Sequence, residues 1–291
     1  MAETVLALAR KAGEHLAAHG IENGRLEAEL MLAAVLGVKR LDLYLQHDRP
    51  VTTRELDAYR TSVRRRLRHE PLQYITGETA FRKLELRTDP RALIPRPETE
   101  VLAGVVLEWA RDRQRPVSAL EVGTGTGAIA LSLALEGGLQ PVVATDVSAA
   151  ALALARENAT RVGASAHVEF REGALFEPVR PGERFDVVVS NPPYVPERER
   201  VYLPAEIREH EPAQALFAGP EGLDVIERLV AEAPTVLWSQ GLLAIEIGSE
   251  QTESVTALFG ANRCYGPARV VNDLAGRPRV VLAERRDSDG K

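Results

Sequence analysis

Cysteine is almost absent from this 291-residue chain: Cys264 stands alone. An intrachain disulfide cannot form, and a cysteine-rich zinc site is excluded. Long apolar runs are missing too. No stretch approaches the ~20 unbroken apolar residues that a membrane-spanning helix needs. The opening Met1-Ala2-Glu3 brings an acid early, with no basic flank followed by an apolar core, so no secretory signal is expected. Positive charge is not in excess either. Lys plus Arg total 36 and Asp plus Glu total 42, a net charge of −6. Broad nucleic-acid binding draws affinity from counterions displaced by a basic surface, and an acidic chain argues against it. Lysine is scarce, at Lys11, Lys39, Lys83 and Lys291, so nearly every basic residue is arginine. These absences point to a cytoplasmic protein.

What is present is ordinary for a folded chain. Apolar residues make up 45% and charged residues 27%, enough to bury a core. The length suits one large domain or two small ones. The first seventy residues carry helical periodicity: Leu6, Ala9, Ala12 and Leu16, then Leu26, Leu30, Ala33 and Leu36. Asn23 is placed to cap the second helix and Gly37 to end it. Thr52-Thr53-Arg54-Glu55 is a capping-box pattern opening a third helix, which Pro71 would stop. Next, Tyr74–Gly77 and Leu84–Thr88 read as two short strands of a hairpin. Beyond it strands and helices alternate. Seven strands are expected, at Val117–Val122, Val142–Thr145, Val168–Phe170, Phe185–Val189, Leu242–Ile247, Ala268–Val271 and Arg279–Ala283. Helices are expected near Glu98–Arg111, Ala128–Leu135, Ala149–Arg161 and Leu223–Leu237. Such alternation predicts a mostly parallel α/β sheet covered on both faces, with ligand beyond the C-terminal strand ends. The predicted boundaries are 1–72 for a helical N-terminal domain, 73–90 for a hairpin linker and 91–291 for the α/β domain.

Glu121-Val122-Gly123-Thr124-Gly125-Thr126-Gly127-Ala128 follows a strand and opens a helix. Glycines there let backbone approach a ligand and tolerate positive φ. Asp146 ends the next strand and is placed to accept hydrogen bonds from ribose hydroxyls, or else to cap the helix that follows. Two ligands fit the loop. Gly123, Gly125 and Ala128 match the dinucleotide spacing G-x-G-x-x-G/A. Glu121-x-Gly123-x-Gly125-x-Gly127 is similar to the first motif of methyltransferases that bind S-adenosylmethionine.

Phe185–Ser190 then runs into Asn191-Pro192-Pro193-Tyr194. Neither proline has an N–H for a sheet ladder, so the strand stops at its ligand-side end. Both prolines have fixed φ, and Pro192 restricts Asn191. The product is a stiff turn carrying one amide and one aromatic ring. That arrangement suits methylation of a planar NH2 group, whose lone pair is delocalised and which has two hydrogens to donate. The Asn191 side-chain oxygen and the Pro192 carbonyl can each accept one, and Tyr194 can stack on the flat target. Catalysis would be orientation and electrostatics.

The sequence is identified by these motifs as resembling the Asn-Pro-Pro-Tyr amino-methyltransferases, and more fully the release factor glutamine methyltransferase family, also called PrmC or HemK. Pro71–Gly77, Leu93–Glu100, the glycine loop, Asp146, Asn191–Tyr194, Glu211-Pro212, Ala215–Phe217, Gly219, Gly222-Leu223 and Glu246–Gly248 fall in the family's order. The resemblance implies a Rossmann-like methyltransferase sheet with a small all-helical N-terminal domain joined by a β-hairpin. It implies transfer of a methyl group from S-adenosylmethionine to the glutamine of the Gly-Gly-Gln motif in class 1 peptide-chain release factors. Gly123, Thr124, Gly125, Thr126, Gly127, Asp146, Leu175 and Asn191 would bind the cofactor. Asn191, Pro192, Pro193 and Tyr194 would hold the substrate, with Asn191, Pro192 and Tyr194 catalytic. Two departures stand out: Ala174 replaces an acid that could reach adenine, and Glu121 replaces the commoner Asp while keeping a charge for the methionine amino group. No metal, no membrane and a monomer are expected.

Several residues are left out of the site. Arg60, Arg64, Arg65, Arg66 and Arg68 read as a solvated helix face or a docking face for an acidic partner. The six histidines show no metal spacing. Arg96, Glu98 and Glu100 suit catalysis by type, yet acids at a helix N-terminus are explained by its dipole. Asp186 is placed as structural. Rival functions are a ribosomal-protein glutamine methyltransferase, a nucleic-acid amino-methyltransferase acting on a flipped or single-stranded base, a nicotinamide dehydrogenase, and a non-catalytic binding module.

Overall fold

The computed structural model describes residues 3–287. Residues 1–2 and 288–291 lie outside the described residues, and with them most of the opening read for a leader, and Lys291. In chain order the first elements are α1 (Val5–Ala18), α2 (Gly24–Leu36), α3 (Asp42–Leu45), α4 (Thr53–Arg66) and α5 (Leu72–Thr76). There follow β1 (Glu78–Phe81), β2 (Leu84–Arg87), α6 (Thr99–Arg111), β3 (Ala119–Val122), α7 (Ala128–Gly137), β4 (Val142–Asp146) and α8 (Ala149–Arg161). The remainder comprises β5 (Val168–Glu172), β6 (Phe185–Ser190), α9 (Ala205–His210), α10 (Asp224–Glu232), β7 (Leu237–Glu246), α11 (Thr252–Ala261), β8 (Arg269–Asn272) and β9 (Pro278–Glu284). Two compact units result: the chain through Glu78 with Pro204–His210, and Thr79–Leu203 with the chain from Glu211 onward. Among the described residues no helix is long and apolar enough to cross a membrane.

The first unit is helical because its apolar residues recur at helical spacing and bury together. Val5, Leu8, Ala9, Ala12 and Leu16 of α1 meet Ala28, Met31, Leu32 and Ala33 of α2 in one cluster. The Thr52–Glu55 capping box forms, with the Glu55 amide donating to Thr52 Oγ1 and the Thr52 amide to Glu55 Oε2. Gly37 ends α2 in the left-handed region. Asn23 occupies the cap position of α2 without a side-chain cap bond. The arginine run is not one solvated face. Arg66 is buried and paired with Glu27 and Glu206, while Arg65 grips Glu70 through two nitrogens. Only Arg60, Arg64 and Arg68 of the five remain exposed.

The second unit carries a seven-stranded sheet in the order β5-β4-β3-β6-β7-β9-β8. Strands β3 to β7 run parallel, and β9 pairs antiparallel with both β7 and β8. Every residue of β3 and β6 is buried, as expected for central strands covered on both faces. Strand order reverses between β3 and β6, so a ligand crevice is expected above their C-terminal ends.

Two local expectations are corrected. Tyr74–Gly77 is not a strand: Leu72–Thr76 forms a helical turn closed by left-handed Gly77, and the hairpin starts at Glu78. Phe81, Leu84 and Leu86 of the hairpin bury in the core of the sheet unit. The helix expected over Leu223–Leu237 stops at Glu232, since Pro234 cannot continue it and Leu237 already belongs to β7.

Candidate active site

The ends of β3, β4 and β6 converge on one cavity of about 330 Å3, a size suited to a small organic ligand. The glycine loop forms its floor. Gly123, Gly125 and Gly127 take φ of +76°, +55° and +84°, conformations open to glycine at little cost. A Cβ on Gly123 or Gly125 would meet nothing nearer than 3.9 Å, so these two glycines open onto the cavity. Gly127 does another job: its Cβ would sit 3.2 Å from Leu131 and 3.3 Å from Ala155, and it does not line the cavity. Thr124 and Thr126 do line it.

Two acids hold the loop. Asp146 accepts from the Gly125 amide at 2.8 Å and from the Ser148 amide at 2.9 Å. It therefore shapes the loop and caps the following turn together, and it lines the cavity. Burial raises its carboxyl above the ordinary value, against its backbone hydrogen bonds. Glu121 is buried, and its Oε2 accepts from Thr124 Oγ1 at 2.6 Å and the Ala130 amide at 2.9 Å. Desolvation pushes its carboxyl up to about 8, with the Asp146 charge adding to the rise. Leu175 takes positive φ, +49°, and closes another wall beside Ala174.

The Asn-Pro-Pro-Tyr turn stands opposite. Ser190 Oγ donates to the Val122 carbonyl at 2.7 Å, tying the ends of β6 and β3 together. Asn191, Pro192 and Pro193 line the cavity. Past them, the Val195 amide donates to the Leu216 carbonyl and Gln251 Nε2 donates to the Tyr194 carbonyl at 2.9 Å. Gly222 packs so close that a Cβ would lie 2.1 Å from the Tyr194 oxygen. Tyr194 itself is not on the cavity wall. Its ring packs against the core cluster of Ile226, Ile245 and Ile247, and burial followed by the Glu246 charge pushes its hydroxyl up to about 12.

Several wall residues carry no sequence assignment to the site. Ala92, Ile94, Pro95 and Thr99 come from the segment 91–99, and Pro212, Gln214 and Ala215 from the loop after β6. The segment is anchored by Arg91, bound to Asp89 and Glu157, and by Arg96, paired with Glu211. Thr99 Oγ1 accepts from Asn191 Nδ2 at 3.0 Å. Behind it Glu246 ends β7, buried and raised by desolvation to about 7. Asp186 is structural: it accepts from the Ser118 amide and hydroxyl and pairs with Arg115, at the opposite end of β6. His15 and His19 meet edge to face, and no His, Cys, Asp and Glu group able to hold a metal occurs among the described residues.

Comparison with known proteins gives concordant matches. A family model described as the PrmC N-terminal domain matches residues 7–77, and one described as a methyltransferase small domain matches residues 104–209. The release factor glutamine methyltransferase of Geobacter sulfurreducens is 43% identical over 92% of this chain and 92% of its own length. That of Moorella thermoacetica is 40% identical over 95% of this chain and 97% of its own. Among solved structures, a methyltransferase from Pyrococcus furiosus superposes with TM-score 0.51 at 20% identity, covering 70% of this chain and 89% of that one. The hMettl16 catalytic domain, solved with a MAT2A 3'UTR hairpin, gives TM-score 0.56 at 15% identity, covering 81% of each chain. These two likenesses are of fold.

Proposed function

The chain belongs to the release factor glutamine methyltransferase family, and from that premise we propose how its cavity performs the reaction. It is a protein-glutamine methyltransferase, and its target is a release factor glutamine. The cofactor is S-adenosylmethionine, which supplies an electrophilic methyl on a sulfonium when bound. The cavity fits such a ligand: two left-handed glycines leave open space at its floor, and the carboxyl groups of Glu121 and Asp146 edge it. Gly123–Thr126 would take the methionine end, with Glu121 facing the amino group. Asp146 retains lone pairs for the ribose hydroxyls, and Leu175 would flank the adenine. Ala174, on the same wall, offers no carboxylate to the adenine amino group. Gly127 supports the loop from behind.

The substrate would be the glutamine of a Gly-Gly-Gln loop in class 1 release factors. Asn191 Oδ1 and the Pro192 carbonyl would each accept one hydrogen of its amide NH2. Held so, the nitrogen is aimed along the methyl-transfer axis and its lone pair is less delocalised. Binding geometry supplies the rate enhancement. The product nitrogen is cationic and loses a proton readily, so no strong base is needed beforehand. Pro193 would form a flat wall beside the target. Tyr194, with its ring in the core cluster, is assigned to hold the turn rather than to stack on substrate.

The observation that carries this reading is the placement of Asn191 and Pro192 on the same cavity wall system as Gly123, Gly125 and Asp146. Asn191→Ala tests it. Turnover should nearly vanish while S-adenosylmethionine binding, measured by calorimetry, largely survives. Wild-type turnover in that variant would refute the role.

A further inference from the structure

An asparagine amide has two ends of nearly the same shape and opposite hydrogen-bonding character. For the role proposed above, Asn191 must turn its oxygen to the substrate. Turned the other way, its NH2 would face the NH2 of the target, donor against donor. The bare turn does not decide between the two, because rotation about the last bond of asparagine is broadly permitted. Something outside the turn has to choose.

Thr99 sits where that choice is made. It is buried at the first turn of α6, and its Oγ1 accepts from Asn191 Nδ2 at 3.0 Å. A hydroxyl has one hydrogen and two lone pairs. If the hydrogen of Thr99 is committed elsewhere, the oxygen can offer Asn191 lone pairs only, and the asparagine must present its nitrogen to Thr99. The acceptor offered to that hydrogen is the buried Glu246 carboxyl at the end of β7, which acts on the Thr99 hydroxyl electrostatically. Glu246 is 1% exposed, and its Oε2 has no hydrogen-bond partner among the described residues. Burying a carboxyl this deeply is costly, and the reaction as derived does not use it as a base. Arg279, Glu98 and Arg96 are the other charges that bear on it.

We propose that Thr99 and Glu246 are positioning residues: Glu246 takes the Thr99 hydrogen, Thr99 takes the Asn191 NH2, and the Asn191 oxygen is thereby locked toward the glutamine. Neither residue touches the reacting atoms. The proposal rests on the role given to Asn191.

Four variants test it, each assayed with a release factor and S-adenosylmethionine. Thr99→Val keeps the shape and removes the hydroxyl. Its kcat should fall roughly 10- to 100-fold, the cost of a misaligned reacting group, while KM for both substrates stays within about 3-fold. Thr99→Ser should restore kcat to within about 3-fold. Glu246→Leu removes a buried carboxyl, a change often tolerated by folding, and should lower kcat as Thr99→Val does. The Thr99→Val/Glu246→Leu double variant should be no slower than the slower single, since both act through one hydroxyl. Wild-type kcat in Thr99→Val, failure of Thr99→Ser to restore it, or multiplicative losses in the double variant would overturn the proposal. Asn191→Ala separates the two levels: if it turns over normally the Asn191 role fails, whereas a dead Asn191→Ala beside a normal Thr99→Val removes only this inference.

Discussion

Replacing Glu121 by glutamine should stabilise the protein at neutral pH and leave it nearly unchanged in mild acid. Folding removes this carboxyl from water and moves its pKa from an ordinary 4.5 up to about 8. Between those values the folded chain keeps a proton that the unfolded chain has released. A group raised in this way favours folding fully below about 4.5, and that advantage is lost as pH climbs toward 8. The loss is about 1.4 kcal/mol per pH unit, or about 3 kcal/mol between pH 5 and pH 7.5. Glutamine does not titrate, and its single oxygen can accept from Thr124 and Ala130 as Glu121 Oε2 does. Its buried NH2 costs about 1 kcal/mol if it finds no acceptor. Glu246 adds the same slope to both proteins and cancels. Urea unfolding without cofactor, at pH 5 and 7.5, is the assay. The stability of Glu121→Gln relative to wild type should rise by about 3 kcal/mol across that interval, a relative Tm gain of roughly 6–12 °C. Parallel pH profiles for the two proteins would refute the reasoning.

Other outcomes follow from the same geometry. If Glu121 ionises opposite the methionine amino group, cofactor binding releases a proton, and affinity should fall up to about tenfold per pH unit below 8. Calorimetry in buffers of different ionisation enthalpy reads that proton directly, and Glu121→Gln should show none. Gly222→Ala should push the Tyr194 carbonyl, because the new Cβ would lie 2.1 Å from it. Turnover should drop at least roughly tenfold with cofactor affinity kept, and unchanged kcat would show that the turn is not clamped there.

Much of this was legible in the chain itself, and the exceptions have physical causes. Helix α8 occupies Ala149–Arg161, the range its pattern predicts, because Ser148 caps its start and accepts from the Ala151 amide. The parallel strands were readable because central strands are apolar throughout and prolines end β6. Tyr74–Gly77 misled because four alternating residues fit a helical turn equally well, and Gly77 in the left-handed region closes that turn. The arginine run misled because charge counts do not show that Arg66 reaches Glu27 and Glu206, the latter 140 residues away. Thr99 and Glu246 lie in segments the resemblance picked out, Leu93–Glu100 and Glu246–Gly248, but no role was legible for them there: their meaning comes from β7 and α6 lying beside the end of β6. Tyr194 has the residue type for stacking, and its partly buried side chain also packs against the core cluster, a contact its residue type alone does not reveal.

The most direct test of the whole account is tandem mass spectrometry of a class 1 release factor after incubation with the protein and S-adenosylmethionine. The account predicts a single added methyl, on the side-chain amide of the glutamine in the Gly-Gly-Gln loop, absent when Asn191→Ala replaces the wild type. Methylation at another residue, or transfer only to ribosomal protein or nucleic acid offered in parallel, would contradict it.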